Sequence, residues 1–250
     1  MIATAPPYRA HRQGSTPLHQ LAHAAADIAQ GSPDVRADTE GDLVVTTIPD
    51  LDGPVHTVLA GADVLDREQA EEASRKLLRA LGVPADTEVG RNTPRRMTDA
   101  LIQLLTPQSW TFTTFPNDEG HHDLVLTRDI VFTSLCAHHL LPFFGRAHVG
   151  FYPGEKLPGL SKIARTVAMF AARLQVQENL GQQIAGFLEE QLACDGVGVV
   201  LVAEHLCMTR RGVRAAGADT LTVATRGRLK RDHSARIEFL QLAVPSGRAV

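Results

Sequence analysis

The run GVGVVLVAEHLC, residues 196–207, is a long Val-rich strand, and ADTLTVATRGRL, residues 218–229, reads as its partner. A second β-rich pair lies upstream, HDLVLTRDIVFTSL over 122–135 and GRAHVGFYP over 145–153, closed by Pro153-Gly154. Between the two pairs the period changes. Ile163, Val167, Phe170 and Leu174 step by four, three and four, and Leu180, Ile184, Phe187 and Leu188 continue on a second helix. Two helices lead in. Leu77, Leu78 and Leu81, with Ala70 and Ala73, mark one face over 67–81 before Gly82. NTPRRMTDALIQLL then opens a helix with Thr93 as N-cap, Pro94 in the first helical position and a stripe of Met97, Leu101, Leu104 and Leu105. A short helix near 233–241 follows the last strand. Helix pair, strand pair, helix pair, strand pair is the order of an α+β fold with a largely antiparallel sheet, and it excludes a doubly wound parallel one.

Residues 1–60 differ in texture. LHQLAHAAADIAQ (18–30) reads as a short helix and LVVTTI (43–48) as a strand, but Gly, Pro and Asp punctuate the whole stretch. The expected division is an N-terminal extension over 1–60, disordered or regulatory, and a catalytic domain over 61–250. With 250 residues, 44% of them hydrophobic, the chain is long enough for a full core, and a net charge of −3 speaks against a nucleic-acid or membrane partner. No apolar stretch reaches the roughly 20 residues that span a bilayer. MIATAPPYRAHRQGS has no apolar secretory core, so a cytoplasmic location is expected. Three cysteines, Cys136, Cys194 and Cys207, are too few for a disulfide framework and read as metal ligands or inert thiols.

The chemistry gathers in two places. SLCAHHLLPFFG (134–145) sets Cys136 and His139 three apart, a common spacing for two ligands of one zinc ion, with His138 between them. The strand 196–207 ends in EHLC, where alternation puts His205 and Cys207 on one side. Cys136, His139 and Cys207 would make three ligands with a fourth position open, the pattern of catalytic zinc, which lowers the pKa of a bound water to about 7. His138 and His205 are then spare imidazoles suited to proton transfer. Spacing alone leaves this site and an incidental CxxH equally open, because it does not make the two strands neighbours. GLSKIAR places Ser161, Lys162 and Arg165 at a helix start, which reads either as a phosphate site or as a solvated first turn. Arg211 lies just beyond the Cys207 strand. Gln177 and Glu178 open the next helix; a carboxylate there accepts two N–H bonds from a guanine edge, or only complements the helix dipole.

Taken together, TPRRM, TTFPNDEG, SLCAHHLLPFFGRAHVGFYP, GLSKIART, RLQVQENL, GVGVVLVAEHLCMTRRGV and EFL, from about residue 66 to 242, resemble the GTP cyclohydrolase I family. The resemblance implies the T-fold: an antiparallel four-stranded sheet with two inserted helices, preceded by an N-terminal helix pair. It implies a homo-oligomer, a decamer of two stacked pentamers with active sites between subunits. By position, Cys136, His139 and Cys207 match the Zn2+ ligands and His138 and His205 the catalytic imidazoles. Gln177 and Glu178 match the guanine-recognising pair, and Ser161, Lys162, Arg165 and Arg211 the triphosphate pocket, with Arg96 reaching a phosphate from a neighbouring subunit. The implied reaction opens the imidazole ring of GTP and gives formate and 7,8-dihydroneopterin triphosphate, feeding folate or another pterin pathway. The alternatives are a related T-fold purine or pterin enzyme with a different product, and a non-catalytic zinc-binding T-fold protein. Ala137 departs from the family, many of whose members carry Glu there.

Overall fold

The structure is a computed structural model, and it describes residues 54–55 and 65–244. The extension expected over 1–60, with its helix at 18–30 and strand at 43–48, lies outside the described residues apart from the two-residue strand β1, Pro54–Val55. β1 pairs antiparallel with β2, Trp110–Thr111.

The leading helix pair is present with altered edges. In α1, Arg67–Ala80, the Asp66 side chain caps the start by accepting from the Gln69 N–H, and Gly82, at φ +87°, follows the end. The expected leucine face is not buried: Leu77 is 48% and Leu81 71% exposed. Ser74 is the buried residue instead, its hydroxyl 3.1 Å from that of Thr98 on α2.

That second helix, α2, Glu88–Leu105, corrects the expected start. Thr87, not Thr93, is the N-cap, and its hydroxyl accepts from the Gly90 N–H at 3.0 Å. Pro94 therefore sits inside the helix and is buried there. An interior proline costs roughly 3 kcal/mol in an isolated helix. Pro94 has no N–H to offer the carbonyl four residues back, that of Gly90, a residue so tightly placed that a Cβ would lie 2.1 Å from the Pro84 carbonyl oxygen. The Thr-Pro pair is a local signal, and burial overrode it.

β3, Thr114–Pro116, pairs with β6, Lys156–Pro158. The main sheet is built from β4, Val125–Cys136, β5, Pro142–Tyr152, β8, Gly196–His205, and β9, Thr220–Gly227, antiparallel and adjacent in that order. A two-residue strand β7, Leu174–Gln175, adds a parallel fifth strand beside the end of β4. Helices α3, Leu160–Ala171, and α4, Gln177–Leu192, lie between the strand pairs in sequence and supply Ile163, Val167, Leu180, Ile184 and Leu188 to the core, all fully buried. Leu174 does not continue α3, as its spacing predicted; it lies exposed in β7, because the helix ends at Ala171 and the backbone turns to pair with Leu135 and Cys136. α5, Leu206–Thr209, and α6, Arg228–Arg231, are single turns. α7, His233–Ala243, capped by Asp232, packs Phe239 against the other sheet face in a second core cluster with Tyr152, Val200 and Val202.

Candidate active site

β4 ends at Cys136, and the chain folds back at once. The N–H groups of His139 and Leu140 both donate to the Cys136 carbonyl, at 3.3 and 2.9 Å, and Leu140 takes φ +54°. The Cys136 N–H donates to the Leu141 carbonyl and that of Ala137 to the Gln175 carbonyl, each at 2.9 Å. This turn lifts two imidazoles over the thiol. The Nδ1 atoms of His138 and His139 each lie 3.9 Å from the Cys136 Sγ, and both rings are on exposed residues.

The second contribution arrives through the β5–β8 register, which pairs Phe143 with His205. Here a sequence expectation is corrected. The strand stops at His205, and Cys207 sits in the single turn α5, so strand alternation is not what brings it to the site. The helical turn carries it there. One ligand atom from each of Cys136, His139 and Cys207 lies within 4.8 Å of the others, close enough to hold a metal ion. The Cys207 thiol is raised above its ordinary pKa, first by burial and then by Cys136 beside it, while Arg211 pulls the other way. Cys136 beside it thus disfavours the Cys207 thiolate, and a bound cation would reverse that penalty.

Around this cluster runs a cavity of about 270 Å³ lined also by His138, Gln177, Glu178 and His205. Glu178 is exposed in the first turn of α4, where its carboxylate complements the helix dipole. Gln177, one residue earlier, is buried, and its Oε1 lies 2.7 Å from the His205 Nε2. The His205 ring stacks on Phe143 with centroids 4.6 Å apart and planes 2° from parallel. Burial lowers the His205 pKa, and Glu178 opposes that.

The phosphate-binding candidates do not line this cavity. Lys162 donates from Nζ to the Thr111 carbonyl at 2.8 Å and lies over the Trp110 ring, while Ser161 and Arg165 are exposed on α3. Arg96 is exposed and pairs with Glu88 at 3.2 Å. Arg211 is exposed, its charge close enough to act on Cys207. Gln175, Val176, Met208 and Thr220 also line the cavity and were not singled out from sequence. Gln175 and Val176 sit within RLQVQENL, but Thr220 carries no local signal, since only the β8–β9 register brings it here. Cys194 takes no part: burial pushes its thiol up to about 11, and its sulfur lies 3.8 Å from the Gly196 carbonyl oxygen.

The sequence profile described as GTP cyclohydrolase I matches residues 70–244. The chain is 44% identical over 178 residues to the GTP cyclohydrolase 1 of Aquifex aeolicus, covering 71% of this chain and 97% of that one. It is 44% identical over 183 residues to that of Bacillus subtilis, covering 71% and 95%. It is 47% identical over 186 residues to that of Mycobacteroides abscessus, covering 72% and 90%. The match spans the helix pair, the sheet and every residue of the cavity, and the chain belongs to the GTP cyclohydrolase I family of T-fold hydrolases.

Proposed function

We propose that this protein hydrolyses GTP to formate and 7,8-dihydroneopterin triphosphate, with zinc held by Cys136, His139 and Cys207. The observation that carries the reading is the convergence of two thiols and an imidazole, their ligand atoms within 4.8 Å, in one cavity with Glu178 and two further imidazoles. Two sulfurs and one nitrogen are donors zinc favours, and three protein ligands leave a position open. Zinc bound there lowers the pKa of a coordinated water to about 7, supplying a nucleophile for C8 of the purine at neutral pH.

The chain's own side chains do the rest. Glu178 accepts two N–H bonds from the guanine edge, which orients C8 toward the Cys136–His139–Cys207 cluster. Gln177, assigned with it to guanine by position, has its amide engaged inside the protein, so Glu178 carries the recognition. His205, fixed on Phe143, protonates N7 as the five-membered ring opens. His138, exposed at the mouth, exchanges protons with solvent during formamide hydrolysis and ribose rearrangement. Ser161, Lys162, Arg165 and Arg211 bind the triphosphate, and Arg96 reaches it from a neighbouring subunit. The active sites form between subunits of a homo-oligomer, a decamer of two pentamers; what supports this is that Arg96, Ser161, Lys162, Arg165 and Arg211 all lie outside the lining of the Cys136–Cys207 cavity. We place the enzyme in the cytoplasm; no helix among the described residues is long and apolar enough to cross a membrane.

The test is incubation of zinc-loaded protein with GTP, following formate together with the ultraviolet spectrum of a dihydropterin. Both products are expected. Formate without a pterin would mean a related ring-opening enzyme, and neither product would mean a binding protein.

A further inference from the structure

The Gln177 side chain is 1% exposed, the first residue of α4 turned inward against β8 and β9. Its Nε2 donates to the carbonyl of Leu201 at 3.1 Å, to that of Thr220 at 2.8 Å, and lies 3.1 Å from the Thr222 hydroxyl. Main-chain carbonyl oxygens only accept. The nitrogen of the amide must therefore face them, and its orientation is settled by chemistry. The oxygen is then the atom 2.7 Å from the His205 Nε2. A carboxamide oxygen also only accepts, so Nε2 must carry a proton. In a neutral imidazole one nitrogen donates and the other accepts, which makes Nδ1 the bare one. Phe143, stacked 2° from parallel, holds the ring plane in which this bond is made.

We propose that Gln177 is a positioning residue for the reaction: it fixes His205 in the Nε2–H tautomer and so makes Nδ1 the nitrogen that takes up and delivers the proton. This rests on the reading of His205 as the group that protonates N7. In the cycle, Nδ1 takes the proton given up by the water whose oxygen adds to C8, and the ring becomes an imidazolium. The same proton passes to N7 and the ring returns to the neutral Nε2–H form. The Nε2–H to Oε1 bond persists in both states, because an amide oxygen is too weak a base to take the proton. A carboxylate at 177 would not substitute, since its second oxygen would face the Leu201 and Thr220 carbonyls.

The tautomer is read directly from long-range proton–nitrogen correlation spectra of zinc-loaded protein with 15N-labelled histidine, His205 being assigned by its loss in His205→Ala. The expected pattern has the proton on Nε2; a proton on Nδ1 in the unsubstituted enzyme overturns the proposal without any variant at 177. Gln177→Met, of similar length but without the oxygen, is expected to give a mixture of tautomers. Its kcat for formate release should fall about 10–100-fold, the usual effect of losing such a partner, with zinc content and KM for GTP unchanged. An unaltered His205 spectrum or an unaltered kcat in that variant sinks the idea. Placed in a His205→Ala background, Gln177→Met should cost nothing further in kcat, because it acts through the missing ring; an additive loss contradicts this. If His205→Ala itself opens the ring at the wild-type rate, the parent reading of His205 fails instead, and the tautomer spectrum tells the two failures apart.

Discussion

Cys207 and His205 are two residues apart, yet the fold gives them different work: the thiol joins Cys136 and His139, and the imidazole is held on Gln177 and Phe143. Cys207→Ala should lose both bound zinc, measured by elemental analysis, and GTP turnover. His205→Ala should keep the metal and lose ring opening, and zinc loss in that variant would contradict the division of roles. A chelator should likewise stop turnover in the unsubstituted enzyme, with zinc restoring it. Sequence reasoning named all three members of the cluster and both neighbouring imidazoles, since Cys136 beside two adjacent histidines, and His205 beside Cys207, stand out in apolar strand sequence. It took Gln177 and Glu178 together as a guanine-recognising pair. A glutamine beside a glutamate at a helix start looks like a pair facing one way, but successive helical residues diverge by about 100°. Here one faces the cavity mouth and the other the sheet.

At the scale of elements, the packing of α7 depends on a notch in the sheet. Gly150 on β5 and Gly198 on β8 are register partners, and a Cβ on Gly198 would approach the Phe239 ring to 2.6 Å, one on Gly150 to 2.9 Å. Gly198→Ala should therefore displace Phe239 and cost about 1–3 kcal/mol, the usual penalty of overpacking. The thermal midpoint should drop by several degrees, and Phe239→Leu in the same chain should recover part of it; melting at the wild-type temperature would show that no such notch exists. Two glycines spaced along Val-rich strands hint at a close approach. What approaches them lies dozens of residues away. The strands and the helices α3 and α4 were legible because their apolar periods are long and strong, whereas the starts of α2 and α5 were not. Both depend on local turns whose signals, Thr93-Pro94 and a strand pattern that reads on from Gly196 into Cys207, point elsewhere.

For the whole molecule, the relevant fact is how much of the expected site one chain leaves apart. Arg96, Ser161, Lys162 and Arg165 lie outside the cavity of Cys136 and Cys207, and Leu81 and Val131 are more than 70% exposed. If the sites form between subunits, Arg96→Gln should raise KM for GTP roughly 10–100-fold, the worth of a lost charged hydrogen bond. At GTP well below the wild-type KM, oligomers assembled from a mixture of Arg96→Gln and Cys207→Ala chains should regain more activity than the average of the two variants, as some sites then draw both intact residues from different chains. No regain in oligomers verified by mass to be mixed would place each site within one chain.

By itself, the sequence determined the class of fold and the reactive atoms. Apolar period, strand order and rare ligand types are properties of short stretches, and Cys136, His138, His139, His205 and Cys207 announce themselves there. Only the tertiary structure decided which of these meet and what each one touches. The register of Phe143 against His205 makes the two motifs neighbours, the turn α5 swings Cys207 to the site, and two distant carbonyls orient the Gln177 amide. The opening motif of the site, SLCAHHLLPFFG, thus supplies two members of the cluster and a plane as well, since Phe143, unremarkable as sequence, is the surface on which His205 lies. The physical reason is range: period and composition act over a turn or a strand, but clustering and hydrogen-bond partners are set by groups that only long-range pairing brings within a few ångströms.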